Sequence, residues 1–190
     1  YRAQVFHAAG CAERPVGDRF DCVADLFTLM GRNGLKIYRS PGSSTLAGPD
    51  GIVGSDDVVV IKINYQWAER GGTNVDLLRG LMRVLVDHPD GFTGEIVVAE
   101  NAQFAAVSNF DRAANNAEDP ALSPHDVVLH FQGQGFTVSQ FDWTAIRGAG
   151  VAEYSAGDAR DGYVVYLHDA TIHGSLSYPK FRTAAGTYVS

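Results

Sequence analysis

A lysine stands inside a strongly apolar run of this chain, where a charge is costly. The run is DVVVIKIN, residues 57–64, and it carries Lys62 close to its end. A buried ammonium must meet an anion, lose its proton or lie at a rim. A lysine so placed can bind a phosphate or carboxylate, or it can transfer a proton. Lys62 is therefore a candidate catalytic residue, together with Glu100 and Asp142, which end two other apolar runs.

Two interpretations of Lys62 remain open at this point. In the first, Lys62 holds an anion at a functional site, and Glu100 or Asp142 orients the lysine or moves a proton. In the second, Lys62 and Glu100 form an ion pair that only fastens two strand ends together. The second interpretation requires Lys62 to lie close to Glu100, and the first is compatible with that position.

A glycine-containing turn follows Lys62 and leads into a helix. The turn GGTN, residues 71–74, allows close approach of a ligand to the backbone, and the free N–H groups of a helix N-terminus attract anions. The turn is neither a Walker A motif nor a dinucleotide fingerprint, and similar turns occur in proteins without ligands. The candidate ligand-binding residues are Asn64, Gly72, Thr73, Asn74 and Asn101.

A third candidate site lies late in the chain, in the segment HDATIH. His168, Asp169 and His173 supply imidazole and carboxylate groups, which are common ligands of transition metals. Their spacing matches no known metal-binding signature. A metal site at these three residues is therefore a weaker alternative to the strand-end site.

The chain has two cysteines, Cys11 and Cys22, on either side of a polar segment. A disulfide between them would stabilise the fold by ~3 kcal/mol in the chain-entropy model. The alternative is two unpaired thiols. Two cysteines without a nearby histidine cluster are too few for a structural zinc site. A disulfide favours an extracytoplasmic or secreted location.

Apolar strand-like runs alternate with amphipathic helices along the chain. The clearest helix begins at Thr73 as the N-cap, keeps Asp76 on its water-facing side and ends before Pro89. The other predicted helices cover 22–31 and 124–135. The predicted strands cover 3–8, 35–40, 57–64, 94–100, 136–143, 151–156 and 162–169, with a strand pair in 175–190. The run 57–64 is rich in β-branched residues, which is typical of a strand buried on both faces.

This alternation is typical of an α/β fold with a mainly parallel sheet. We expect a Rossmann-like sheet with helices on both faces and one or more antiparallel strands near the C-terminus. We expect a single domain over residues 1–190, and the strand-like ending GTYVS predicts the first part of a longer chain. Ligands of open parallel sheets bind at the carboxyl ends of the strands, where Asn64, Glu100, Asp142 and His168 are predicted to lie.

The overall composition limits the class of partner. Hydrophobic residues make up 45% of the chain and charged residues 19%, which is enough for a packed core. A net charge of −7 disfavours binding to nucleic acid. The sequence has no apolar run long enough for a membrane span. A small anionic ligand and a homo-oligomer are both compatible with this composition.

Four segments resemble the domain of unknown function 362 family. They are DDVVVIKINYQW, GGTNVDLLRGLMRVL, GEIVVAENAQF and YPKFRTAAGTYVS, and the resemblance covers roughly residues 56–190. It implies an α/β sandwich, and the family has no agreed activity to carry over. Some members hold iron–sulfur clusters through appended cysteine motifs. This sequence has no iron–sulfur motif, so the resemblance implies no such cofactor.

Two functions from different classes follow from these observations. The first is an enzyme, or part of one, that binds a small anionic ligand at the strand ends. The second is a non-catalytic secreted module for binding or self-assembly. A cavity shared by Lys62, Glu100 and Asp142 would favour the first, whereas a Cys11–Cys22 disulfide would favour the second.

Overall fold

The computed structural model describes residues 3–11, 15–65, 71–102, 110–113, 117–166, 171 and 174–190. These residues form three α-helices: α1 Asp21–Arg32, α2 Val75–Val86 and α3 Pro124–Gly133. They also form nine strands: β1 Tyr38–Arg39, β2 Ala47–Gly48, β3 Val58–Lys62, β4 Glu95–Glu100, β5 Thr137–Asp142, β6 Gly150–Val151, β7 Gly162–Val165, β8 Ser177–Arg182 and β9 Tyr188–Val189.

The centre of the fold is a parallel sheet in the order β3–β4–β5. Val97 in the middle strand β4 lies between Val60 of β3 and Ser139 of β5. All six residues of β4 are buried, whereas every residue of β3 keeps some exposure because β3 is an edge strand of this sheet. The prediction that residues 57–64 are buried on both faces is therefore wrong, and β4 is the fully buried strand.

The two faces of this sheet pack against different layers. Ile96 and Val98 of β4 belong to the main core, which includes Met82 of α2 and Phe131 of α3. Side chains alternate along a strand, so Val97 points to the opposite face, where it packs with Phe181 of β8. Within the described residues, helices cover one face and the C-terminal sheet covers the other, which differs from the predicted helices on both faces.

The C-terminal sheet has the order β6–β7–β8–β9. Strands β6 and β7 are parallel, whereas the β7–β8 and β8–β9 pairs are antiparallel. The expected antiparallel strands near the C-terminus and the predicted strand pair in 175–190 are thus confirmed. The predicted strand 151–156 is mostly wrong, because only Val151 is extended in β6 and Tyr154–Ala156 forms a 3-10 turn.

The N-terminal segment is irregular before α1. Residues 3–9 have no regular structure, so the predicted strand 3–8 is wrong; an alternating pattern forms a strand only where a partner strand is available. Cys11 and Cys22 form a disulfide with their Cα atoms 5.0 Å apart, which ties this segment to the first turn of α1. In the described part of the chain, no helix is both long and apolar enough to cross a bilayer.

Candidate functional site

The three parallel strands end together and bring the predicted catalytic residues to one edge of the sheet. Glu100 and Asp142 are direct neighbours in the β4–β5 register, and Lys62 ends β3 beside Ala99. The Lys62 ammonium lies 3.3 Å from Glu100 Oε2. Lys62 and Glu100 are therefore as close as the ion-pair interpretation requires, and the functional interpretation is compatible with this distance.

Glu100 is a buried carboxylate whose two oxygens both have donors. Its side chain is 2% exposed. Oε2 accepts hydrogen bonds from the backbone N–H of Tyr65, at 2.8 Å, and from Lys62. Oε1 accepts one from the backbone N–H of Asn101, at 2.8 Å. Glu100 thus holds the chain that leaves β3 and the chain that leaves β4, and these bonds stabilise its charge away from water.

Lys62 lies at the rim of the sheet and not in its interior. Its side chain is 46% exposed, although the apolar residues before it suggested burial. The ammonium donates to Glu100 and to the backbone carbonyl of Ile63. An ammonium has three N–H donors, so these two acceptors leave the third without a partner among the described residues. Lys62 therefore combines a fixed position with one donor available to a ligand.

The end of β3 is tied to the start of α2 by a pair of hydrogen bonds. The Thr73 hydroxyl accepts from the Asn64 backbone N–H at 2.9 Å, and the Thr73 backbone N–H donates to the Asn64 carbonyl at 2.8 Å. The predicted N-cap at Thr73 is wrong: Asn74 is the N-cap, and its side chain accepts from the Leu77 N–H at 2.9 Å. Gly72 lies at the bend just before this clamp.

Asn101 and Arg147 add polar groups near the end of β4. The side-chain oxygen of Asn101 is buried and makes no hydrogen bond within the described residues. Arg147 is exposed and donates to the Ala102 carbonyl at 2.9 Å. Sequence reasoning missed Arg147, because it lies after the predicted strand in an RGAG segment that carries no pattern linking it to this edge.

Asp142 and Asp76 both have structural partners. Asp142 caps the 3-10 turn Trp143–Ala145 by accepting from the Thr144 N–H at 2.9 Å. Asp76 was predicted to face water, but it is buried and accepts from the Glu118 N–H at 2.6 Å. That prediction is wrong because the segment that follows β4 covers this position of α2.

A second lysine, Lys180 of β8, is fully buried and was missed by sequence reasoning. Its ammonium donates to the carbonyls of Ala152 and Asp158, both at 2.5 Å, and lies 4.2 Å from the centre of the Tyr154 ring. Hydrogen bonds from Arg160, and then from the Ala152 N–H, hold the pKa of the Asp158 carboxyl well below its usual range. The Lys180 ammonium and the Asp158 carboxylate thus both stabilise the loop that contains Ala152 and Asp158.

The remaining predicted site is the metal site, and His168, Asp169 and His173 lie outside the described residues. Among the described residues, no group of three or more His, Cys, Asp or Glu side chains is arranged to hold a metal ion. No family model, curated protein or solved structure matches this chain.

Proposed function

We propose that this protein binds a small anionic ligand at the carboxyl edge of the β3–β4–β5 sheet, with Lys62 as the binding cation. The observation that carries the proposal is a half-exposed ammonium held in place by the buried carboxylate of Glu100. Because Glu100 fixes the lysine, little side-chain entropy remains to be lost when an anion binds. A phosphate or a carboxylate is the matching ligand class.

The polar groups around Lys62 support the same ligand class. The exposed Arg147 guanidinium is a second cation at this edge, and Asn64 is exposed beside Lys62. The Asn101 side-chain oxygen has no donor among the described residues and would accept one from a hydroxyl group of the ligand. Glu100 and Asp142 keep positioning roles in this proposal, because each already holds backbone N–H groups. The proposal is one of binding, and it does not require a reaction.

The test is a titration with inorganic phosphate and with citrate, followed by NMR of the backbone amides. We expect saturable shifts at Asn64 and Asn101. We expect Lys62→Ala to weaken binding at least tenfold, while the free energy of unfolding changes by less than about 1 kcal/mol, because the Lys62 side chain is half exposed and the buried Glu100 keeps its two backbone N–H donors. Arg32→Gln, an exposed change in the last turn of α1, is the control and should alter neither quantity.

One outcome would favour the ion-pair interpretation. If Lys62→Ala strongly destabilises the fold and neither anion produces saturable shifts at Asn64 and Asn101, Lys62 only fastens two strand ends. The binding proposal would then be rejected. An anion that binds with equal affinity to the wild-type protein and to Lys62→Ala would also reject it.

A second candidate function is a non-catalytic secreted module for binding or self-assembly. The Cys11–Cys22 disulfide favours it, since such bonds persist in oxidising compartments. The test has two parts: mass spectrometry of alkylated, unreduced protein taken from its native source, and light scattering of purified protein over a range of concentrations. Free thiols in the native protein together with a concentration-independent monomer would contradict this function.

We also propose that the chain is related to the domain of unknown function 362 family and shares a Rossmann-like α/β arrangement with it. The support is the order of the four resembling segments and the parallel β3–β4–β5 sheet, with α2 and α3 in the connections between its strands. A solved structure of a family member would test both points. A different strand order in its corresponding segments would reject them.

A further inference from the structure

Helices α1 and α2 and strand β1 enclose a cavity of about 320 Å³ that lies apart from the strand-end site. Its apolar lining consists of Phe20, Ala24, Phe27, Leu46 and Val84. Small-molecule sites have volumes from about 300 Å³ upward and are mostly apolar with a few placed polar groups. We infer that this cavity binds a small amphipathic carboxylate. The apolar part of the ligand would lie inside the cavity and its carboxylate at Arg19.

The walls of this cavity are held by specific contacts. The Tyr38 hydroxyl donates to the Val84 carbonyl at 2.7 Å, which fixes β1 against α2. Gly80 lets Phe20 lie directly against α2, since a Cβ at position 80 would come within 2.5 Å of the Phe20 Cβ. The disulfide at Cys22 anchors the first turn of α1. The cavity is therefore built into the fold.

Three charged residues line the cavity: Arg19, Arg83 and Asp87. Arg83 pairs with Asp87 at 2.8 Å, so these two charges offset each other. Arg19 is exposed, and its guanidinium makes no hydrogen bond or ion pair with another side chain among the described residues. The lining residues thus carry one net positive charge, at Arg19, and Asp18 lies 3.9 Å from Arg83 but outside the lining. This charge favours an anion at the cavity.

A buried donor supports the same choice. The Nε–H of Arg83 is buried and makes no hydrogen bond within the described residues, while its Nη1 donates to Gln134 Oε1 at 3.0 Å. A buried donor without an acceptor is unfavourable, so a ligand that supplies an acceptor gains from it. Both unsatisfied groups of the lining, Arg19 and Arg83 Nε, are donors. A carboxylate supplies acceptors, which both groups lack, whereas an amine would add a further cation beside two guanidinium groups.

This cavity is independent of the strand-end site. Arg83 and Val84 lie in the second half of α2, Asp87 is its C-cap and Gly80 lies at its middle, whereas the strand-end site lies just before its N-terminus. The ligand class also differs, because the strand-end site is polar and this lining is largely apolar. Failure of one proposal leaves the other standing.

The experiment is isothermal titration of the intact, disulfide-bonded protein with octanoate, octan-1-ol and octylamine. We expect saturable binding of octanoate, weaker binding of octan-1-ol and none of octylamine. Arg19→Gln should weaken octanoate binding about tenfold, the loss expected for one hydrogen bond to a charged group. Ala24→Phe should abolish binding by filling the cavity. Arg32→Gln is the control: Arg32 lies on α1, as Ala24 does, but outside the cavity lining, so this change should leave the affinity for octanoate unchanged.

Two results would overturn the inference. One is the absence of saturable octanoate binding to the wild-type protein. The other is an octanoate affinity that Arg19→Gln does not change. If Ala24→Phe does not fold, as judged by circular dichroism, Arg19→Gln still decides the question, because Arg19 is exposed and its side chain makes no hydrogen bond or ion pair within the described residues.

Discussion

The two ends of β4 carry the same residue in different surroundings. Glu95 begins the strand and Glu100 ends it, and both are buried, at 4% and 2% exposure. Glu100 accepts hydrogen bonds from two backbone N–H groups and from Lys62. Glu95 accepts one, from the Thr183 hydroxyl at 3.0 Å, and its Oε1 has no partner within the described residues.

This difference separates a carboxylate that the fold depends on from one that the fold tolerates. Removing Glu100 would leave two backbone donors without their acceptor, which is costly when they are shielded from water. Removing the Glu95 side chain would leave only the Thr183 hydroxyl to find another acceptor. Burial alone does not distinguish the two residues; the number and kind of donors does.

The largest expected effect is at Glu100. Glu100→Ala removes the acceptor for the Tyr65 and Asn101 N–H groups and the partner of Lys62, so we expect a loss of about 3 kcal/mol in the free energy of unfolding. Urea denaturation measures it. Asp50→Ala, at an exposed aspartate, is the matched control and should cost less than about 0.5 kcal/mol. A loss at Glu100 as small as that of the control would break the comparison.

The next effect is at Thr183, which connects Glu95 to the β8–β9 turn. Its hydroxyl donates to Glu95 and accepts from the Thr187 N–H at 3.1 Å. Thr183→Val should therefore destabilise the fold by about 2 kcal/mol, because a buried carboxylate and a backbone donor both lose a partner. Thermal unfolding of Thr183→Val and Thr183→Ser measures it. Thr183→Ser keeps the hydroxyl and should lose clearly less; equal losses would point to packing of the methyl group instead.

A smaller effect on the free energy of unfolding is expected for Glu→Gln, made as two separate variants, one at each end of β4. Glu95→Gln keeps an acceptor for Thr183 and removes a buried charge, so we expect a change of less than about 1 kcal/mol. Glu100→Gln should cost clearly more, because its NH₂ group would face a backbone N–H donor. Urea denaturation of the two variants side by side sharpens the contrast. Equal losses would show that the donors do not decide the outcome.

The smallest effect concerns Asp18, a carboxylate outside the sheet whose donors are side chains. Burial raises the pKa of Asp18, but hydrogen bonds from His130, at 2.8 Å, and from Gln134, at 3.1 Å, outweigh burial and hold this pKa below its usual value. Its stabilisation is present above the unfolded-state pKa of about 4 and is lost as the pH falls through the folded-state pKa.

We therefore expect Asp18→Asn to lower the free energy of unfolding near neutral pH, and the difference from the wild-type protein to shrink below about pH 4. Urea midpoints measured at several pH values would show this. Asp50→Asn is the control for a general charge effect. A difference that does not change with pH would contradict the role given to these hydrogen bonds.

The sequence predicted the elements that local pattern determines. The periodic apolar stripe predicted α2, and the run before Glu100 predicted β4 as a buried strand. The prediction that Lys62 and Glu100 meet followed from parallel strands that end at one edge. The Cys11–Cys22 disulfide was one of two open alternatives and is the one found.

The parts that sequence did not predict depend on contacts between distant segments. Burial of Lys180 results from carbonyls of the loop that holds Ala152 and Asp158, and no local pattern encodes that contact. Thr73 has the residue type of an N-cap, but its hydroxyl is used by Asn64, so Asn74 caps α2 instead. Local propensity gave the right kind of residue, and the tertiary contact selected which one acts.

The central position of β4 has a consequence for the rate at which this chain folds. Its two neighbours, β3 and β5, come from before α2 and from after α3, so both pairings close long loops. Such non-local parallel pairings form slowly, because loop-closure entropy is lost before the contacts form. We expect β4 to remain exposed until both crossovers are complete, so that a chain interrupted between β4 and β5 presents an uncovered apolar strand to other molecules.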